Sequence, residues 1–239
     1  MRRSIVAIAA VMSLLGPRAA ESQERILSLT VRGSYTTTSK VFYTPDSPSS
    51  DLRGQYFGLD NIYSPGFELR FKIPGQGIAL TLAAEYLTKS VEQIQLVGIQ
   101  SPPRALPVRE GFRVIPIELG ASALIPLGSD RVRLTMGGGL GAYFGKRFLT
   151  IAGVDAAQKN APVSYGIHVE TSFDYEIIPR VFARVDMRFR DPEFTTESRF
   201  LQAATQYGGV LILLPQDPFR ARIDVNGLNF GLGLGVEIF

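Results

Sequence analysis

From Val181 to Arg190 the chain sorts its residues by parity. Val181, Ala183, Val185, Met187 and Phe189 fall on one side, and Arg184, Asp186, Arg188 and Arg190 on the other, with Phe182 the one misfit. Successive Cβ atoms of a strand point to opposite faces, so this segment is a strand with one oily and one ionic face. Two more segments repeat the pattern. Phe67, Leu69, Phe71 and Ile73 oppose Glu68, Arg70 and Lys72, and Ile167, Val169, Thr171, Phe173, Tyr175 and Ile177 oppose His168, Glu170, Ser172, Asp174 and Glu176. Five further segments alternate in the same way, at 27–35, 78–86, 115–125, 132–144 and 228–238. Pro116 lies inside one of them and removes a ladder donor there.

The connections divide into two kinds. Pro74-Gly75-Gln76-Gly77, the segment 126–130 and Ile178-Pro179-Arg180 are tight and rich in turn formers. The other four, at 36–62, 88–110, 145–162 and 191–219, are long, and long and short alternate strictly along the chain. The expectation is an all-β, antiparallel up-and-down barrel of about eight strands, with short turns at one rim and long loops at the other. Loop four carries the apolar run Val210-Leu211-Ile212-Leu213-Leu214, and loop two carries Ile94, Leu96, Val97 and Ile99 before Pro102-Pro103. These runs are read as hairpins that extend the barrel, as a contact surface for another molecule, or as extra strands of a ten-stranded barrel.

Residues 1–22 stand apart. Arg2 and Arg3 precede an apolar run from Ile5 to Leu15, then Gly16-Pro17 and the small residues Ala19, Ala20 and Ser22. The run is shorter than the roughly 20 residues a spanning helix needs. It is read as a cleaved secretory signal, which leaves 23–239 as a single barrel domain. The precursor has 25 basic and 22 acidic side chains. The signal holds three of the former and one of the latter, so the mature chain carries 22 against 21. The basic character belongs largely to the targeting segment and does not point to nucleic acid.

Alternation alone does not say which face is outside. A soluble barrel would put the oily face around an apolar ligand, whereas a membrane barrel presents it to lipid. Export, loop asymmetry and a large apolar face on nearly every strand favour the membrane. The inward set is then Arg32, Arg70, Lys72, Arg133, Arg184, Arg188 and Arg190 with Glu68, Glu85, Glu118, Glu170, Asp174, Glu176, Asp186 and Glu237, and His168 beside them. Eight strands enclose an interior that side chains just fill. The charges are therefore read as a salt-bridge plug, with an ion or proton path as the alternative.

On Ile115-Pro-Ile-Glu-Leu-Gly, Ile125-Pro-Leu-Gly, the strand Met136-Gly-Gly-Gly-Leu-Gly-Ala-Tyr and the C-terminal Phe-Gly-Leu-Gly-Leu-Gly-Val-Glu-Ile-Phe, the mature chain resembles the small outer-membrane barrel family of the OmpA/OmpX-like type. The resemblance implies a monomer in the outer membrane of a Gram-negative-type bacterium, with membrane lipid and the barrel-assembly machinery as partners. It also implies loops that meet an extracellular ligand, and Phe239 as part of the assembly signal. The family pattern places hydrophobics two and four residues before the terminal aromatic, where this chain has Glu237 and Gly235.

Catalytic signals are sparse. His168 is the only histidine. Lipid A deacylases, which are small barrels, use a His-x-Ser pair plus an acid, but here the residue two beyond is Glu170. With no cysteine and one histidine, neither a metal site nor a cofactor is expected. The glycines at 137–139, 231, 233 and 235 lack the lysine and helix of a phosphate loop. The expected role is structural or loop-mediated binding. A lipid-modifying enzyme, a small-solute channel and a secreted apolar-ligand carrier are the other readings.

Overall fold

The computed structural model describes residues 25–97, 104–129 and 131–238, so the expected signal segment 1–22, Ile99, Pro102-Pro103 and Phe239 lie outside it. In chain order the first elements are β1 (Leu27–Thr36), β2 (Lys40–Phe42), the single helical turn α1 (Ser50–Arg53), β3 (Tyr56–Gly58), β4 (Ile62–Ile73), β5 (Ile78–Glu85), β6 (Leu87–Val97), β7 (Arg104–Pro126) and β8 (Val132–Ile151). Then come β9 (Val154–Gln158), β10 (Val163–Ile178), β11 (Val181–Arg190), β12 (Glu193–Phe200), β13 (Ala204–Tyr207), β14 (Val210–Leu213), β15 (Phe219–Asp224) and β16 (Leu228–Glu237). Among the described residues no helix is long and apolar enough to cross a membrane.

Eight strands close a ring in the order β1-β4-β5-β7-β8-β10-β11-β16, every pair antiparallel. They contain the eight alternating segments of the sequence. The ring is eight-stranded and not ten. Val210 to Leu213 of the 210–214 run instead form β14, which pairs with β13 in a separate hairpin. The three tight turns sit at one rim, together with both ends of the described chain. Glu237 N–H donates to Arg180 O and Ile238 N–H to Leu27 O there. Gly75 and Gly77 take positive φ, 71° and 62°, in the first turn, a conformation that costs glycine little.

The oily face looks outward. Val185 and Phe189 are 55 % and 48 % exposed, whereas Arg70 and Arg188 are 3 % and 1 % exposed. Outward aromatics cluster near both ends of this band: Phe71, Phe173 and Tyr175 on the turn side, and Tyr35, Tyr63, Phe144 and Tyr165 on the other. From Tyr175 to Tyr165 a strand of ordinary rise and barrel tilt climbs about 25 Å, the height of the apolar band in outer-membrane barrels.

The long connections are not loops. β7 and β8 run far beyond the ring, and β6, β9, β12, β15, β2 and β3 extend the sheet from them in the order β6-β7-β8-β9-β12-β15-β2-β3. This head encloses an apolar core built from Val41, Leu59, Ile62, Leu87, Phe112, Val114, Phe194 and Ile223, among others. Above it Leu106, Val108, Ile151, Phe200, Ile212 and Leu214 form a second cluster, in which the β13–β14 hairpin contributes Ile212. Pro116 lies at the junction. The partners of β7 pass from Ala84↔Ile117 in β5 to Val114↔Leu87 in β6, so the proline coincides with a break in the ladder where its missing donor costs nothing.

Candidate functional site: an ion-filled bore

Inside the ring the inward positions of all eight strands, β1, β4, β5, β7, β8, β10, β11 and β16, bring their charged side chains onto one axis. At the turn-side rim, Glu237 receives Arg25 and Lys72, each at 2.8 Å, and also Arg133. Glu176 lies 3.6 Å from Arg25. A cavity of about 390 Å³ opens here, between Arg25, Lys72, Arg133 and Glu237 on one side and Arg70, Asp174, Phe182 and Arg184 on the other.

One layer deeper, Arg184 grips Asp174 as a fork, Nε to Oδ1 at 2.6 Å and Nη2 to Oδ2 at 2.8 Å, and reaches Glu68 at 2.5 Å. Arg70 joins Glu68 at 3.0 Å. Its neighbours Thr135 and Ser172 share a hydrogen bond of 2.6 Å. Arg188 forms the centre, donating to Glu118 and Glu170 at 2.6 Å each and to Glu68 at 3.0 Å. Toward the head, Glu85 is shared by Arg190 at 2.8 Å and Arg32 at 3.2 Å, and Arg32 also donates to Asp186 at 2.7 Å. Tyr143 closes the top by donating its hydroxyl to Glu118 at 3.2 Å.

Glycines opposite these groups make the room. Phe182, the misfit of its strand, faces inward against Gly235, its cross-strand partner. A Cβ at Gly235 would lie 2.1 Å from the Phe182 ring. That ring then supports Arg184 and Arg133, whose guanidinium centres lie 5.2 and 5.5 Å from its centroid. Gly231 leaves the same kind of space for the Asp186 carboxylate.

Of the sixteen interior charged or imidazole residues picked out by the alternating pattern of the ring, Arg32 lies in the buried network and Glu237 at the turn-side rim, and the other fourteen are placed as follows. Glu68, Arg70, Glu85, Glu118, Glu170, Asp174, Arg184, Asp186, Arg188 and Arg190 are buried in one ion-pair network. Lys72, Arg133 and Glu176 are partly exposed at the rim, and His168 is buried beside Arg190 and Gly139 across the ladder. His168 Nδ1 has no hydrogen-bond partner among the described residues. Glu170 is engaged with Arg188, and Ser172 with Thr135.

The sequence pattern left the set one cation short, and Arg25 supplies it. It precedes β1, so strand parity gives no signal for it. Among the described residues, eight cations (Arg25, Arg32, Arg70, Lys72, Arg133, Arg184, Arg188, Arg190) then face eight carboxylates (Glu68, Glu85, Glu118, Glu170, Asp174, Glu176, Asp186, Glu237). With the imidazole neutral the filling has no net charge. Desolvating an ion costs several kcal/mol unless it is paired, and every member of this set lies in at least one ion pair, so its charge balances without a counter-ion. The head hides one more pair missed in the sequence, Arg147 with Glu110 through two bonds of 2.8 Å.

No family model and no curated protein matches the sequence. Solved structures do match in fold. The outer membrane protein OprG from Pseudomonas aeruginosa superposes with a TM-score of 0.59 at 13% identity, over 87% of this chain and 94% of that one. The outer membrane protease OmpT from Escherichia coli gives 0.50 at 6% identity, over 92% and 99%. The chain thus has the fold of a small outer-membrane β-barrel.

Proposed function

We propose that this protein sits in the bacterial outer membrane as a barrel sealed by its own ion pairs, and that it acts structurally and through the surface of its extracellular head. The observation that carries the reading is the charge-balanced filling of the bore inside a ring whose outer face is oil. A path for ions needs mobile water and unpaired sites, whereas every cation here is committed to a carboxylate. Above the ions, the apolar core of the head closes the same axis a second time.

The head presents Ile94, Leu201, Tyr207 and Leu213 to solvent near its tip, an apolar set suited to meeting an extracellular partner. No catalytic role is assigned. The hydroxyl and carboxylate near His168 are held in other hydrogen bonds, and a nucleophile needs a base in reach. The protein is proposed to act as a monomer, delivered by a cleaved signal and inserted by the assembly machinery, with lipid around its belt.

Planar-bilayer recording tests the seal: the expected result is no steady current, and a reproducible ohmic conductance would overturn it. Protease added outside intact cells should cut only within the head. Protection of the head, or cutting at the turn-side rim, would overturn the placement.

A further inference from the structure

The neutrality of the bore makes two other cations conspicuous. Arg113 of β7 and Lys146 of β8 are direct cross-strand partners. No ion pair reaches either of them among the described residues, although like charges placed opposite each other repel. The Arg113 guanidinium centre lies 5.5 Å from the Tyr86 ring centroid and 5.3 Å from that of Phe148, and the Lys146 ammonium lies 5.7 Å from Phe148. Arg113 Nε is enclosed and has no hydrogen-bond partner among the described residues.

Both residues line a cleft of about 860 Å³, with Arg109 beside them. Asp155 is the one acid on its wall, and its carboxylate accepts the Thr150 hydroxyl at 2.5 Å. The height of the cleft is telling. Ile115 and Phe144, which are exposed and next along the outward faces of β7 and β8, line its lower edge and belong to the oily belt. The cleft therefore opens at the level where lipid headgroups begin.

We infer that Arg113 and Lys146 form a binding site for the phosphate of an acidic lipid in the outer leaflet. Aromatic rings fix the two cations, the belt below accepts acyl chains, and the lipid supplies the anion that the protein omits. Charge-assisted bonds to phosphate are among the stronger polar contacts, and a continuous apolar edge selects a lipid over a free ion. The inference rests on the membrane reading above.

Native mass spectrometry of the detergent-solubilised protein after exposure to bis-phosphorylated lipid A tests it. Wild type should retain the lipid. The double variant Arg113→Gln, Lys146→Gln should lose about tenfold in apparent affinity, and Arg220→Gln, at the opposite side of the head, should lose none. Lipid A stripped of its phosphates should bind wild type and double variant alike, and excess inorganic phosphate should fail to release the intact lipid. Equal retention by wild type and double variant, or indifference to the lipid phosphates, overturns the site. Release by inorganic phosphate would show an ion site in place of a lipid site. Far-UV circular dichroism confirms folding of each variant. A protein that fails to enter vesicles at all defeats the membrane reading. Normal insertion with equal retention defeats only this site.

Discussion

The ring and the head are made by the same strands with opposite contents. Along β7 the even-numbered side chains point inward throughout. In the head they are Leu106, Val108, Glu110, Phe112 and Val114, and below Pro116 they are Glu118, Gly120 and Ser122. The odd-numbered side reverses in step, from Arg109 and Arg113 above to Ile115, Ile117 and Leu119 below. Period two sets the strand, while the solvent outside sets which kind of side chain belongs on each face. Where water surrounds the sheet, oil fills it. Where hydrocarbon surrounds it, ions do, and they must balance.

The comparison breaks most visibly if the central ion is removed. Arg188→Ala would leave Glu170 without a cation among the described residues and take one partner each from Glu118 and Glu68, and breaking a buried pair costs about 3–5 kcal/mol. Urea unfolding in lipid vesicles, followed by far-UV circular dichroism because the chain has no tryptophan, should show a large fall in midpoint. Arg188→Met combined with Glu170→Gln, which removes one charge of each sign, should recover much of it. A midpoint unmoved by Arg188→Ala would mean that the bore is hydrated and the seal imaginary. Phe112→Ala removes a fully buried ring from the head, at a cost typical of large cavities, about 3–5 kcal/mol. Its effect should stay local, with faster proteolysis of the head and a ring midpoint close to wild type. Collapse of both together would show that the two regions fold as one unit.

The ring was legible from sequence because its faces contrast fully. Eight segments of oil against ions, spaced by turn residues, leave few alternatives, and Phe182 read as a misfit only because a glycine on another strand makes its space. The head was less legible for a physical reason. β2, β3 and β9 are too short to display a period. β12 does alternate, with Phe194, Thr196, Ser198 and Phe200 inward against Glu193, Thr195, Glu197 and Arg199, and β7 carries its pattern up through Phe112. Those signals lay in segments whose length suggested loops. In the bore, the carboxylates and arginines followed from parity. Arg25 and Tyr143 did not, the first for want of a strand and the second because it interrupts a row of glycines.

A charge moved along one outward face should meet oil at one height and water at another. Leu140 and Thr150 lie on the same side of β8, the first 69 % exposed in the belt and the second in the head. Leu140→Arg should destabilise the protein in vesicles by about 2–4 kcal/mol, the cost of a cation facing lipid near the midplane. Thr150→Arg, which gives up the hydroxyl bond to Asp155 and faces Arg109 across the ladder, should cost only about 1 kcal/mol. Equal, small effects would place the belt in water.

The smallest effect concerns Asp224, in the head. Its cross-strand partners are Glu193 on β12 and Lys40 on β2, and Arg222 Nε lies 3.3 Å away. Burial raises its carboxyl above the ordinary range, with Glu193 and Asp191 adding to the rise and Arg222 and Lys40 opposing it. A raised folded value means that the fold prefers the protonated acid. That preference stabilises the head fully below the ordinary carboxylate range and fades as pH rises through the folded value, so at neutral pH the charge is a liability. Asp224→Asn should therefore slow proteolysis of the head at pH 7, with the advantage shrinking toward acid, where the parent acid is itself neutral. An advantage that instead grew on acidification would mean that the Arg222 pairing outweighs burial.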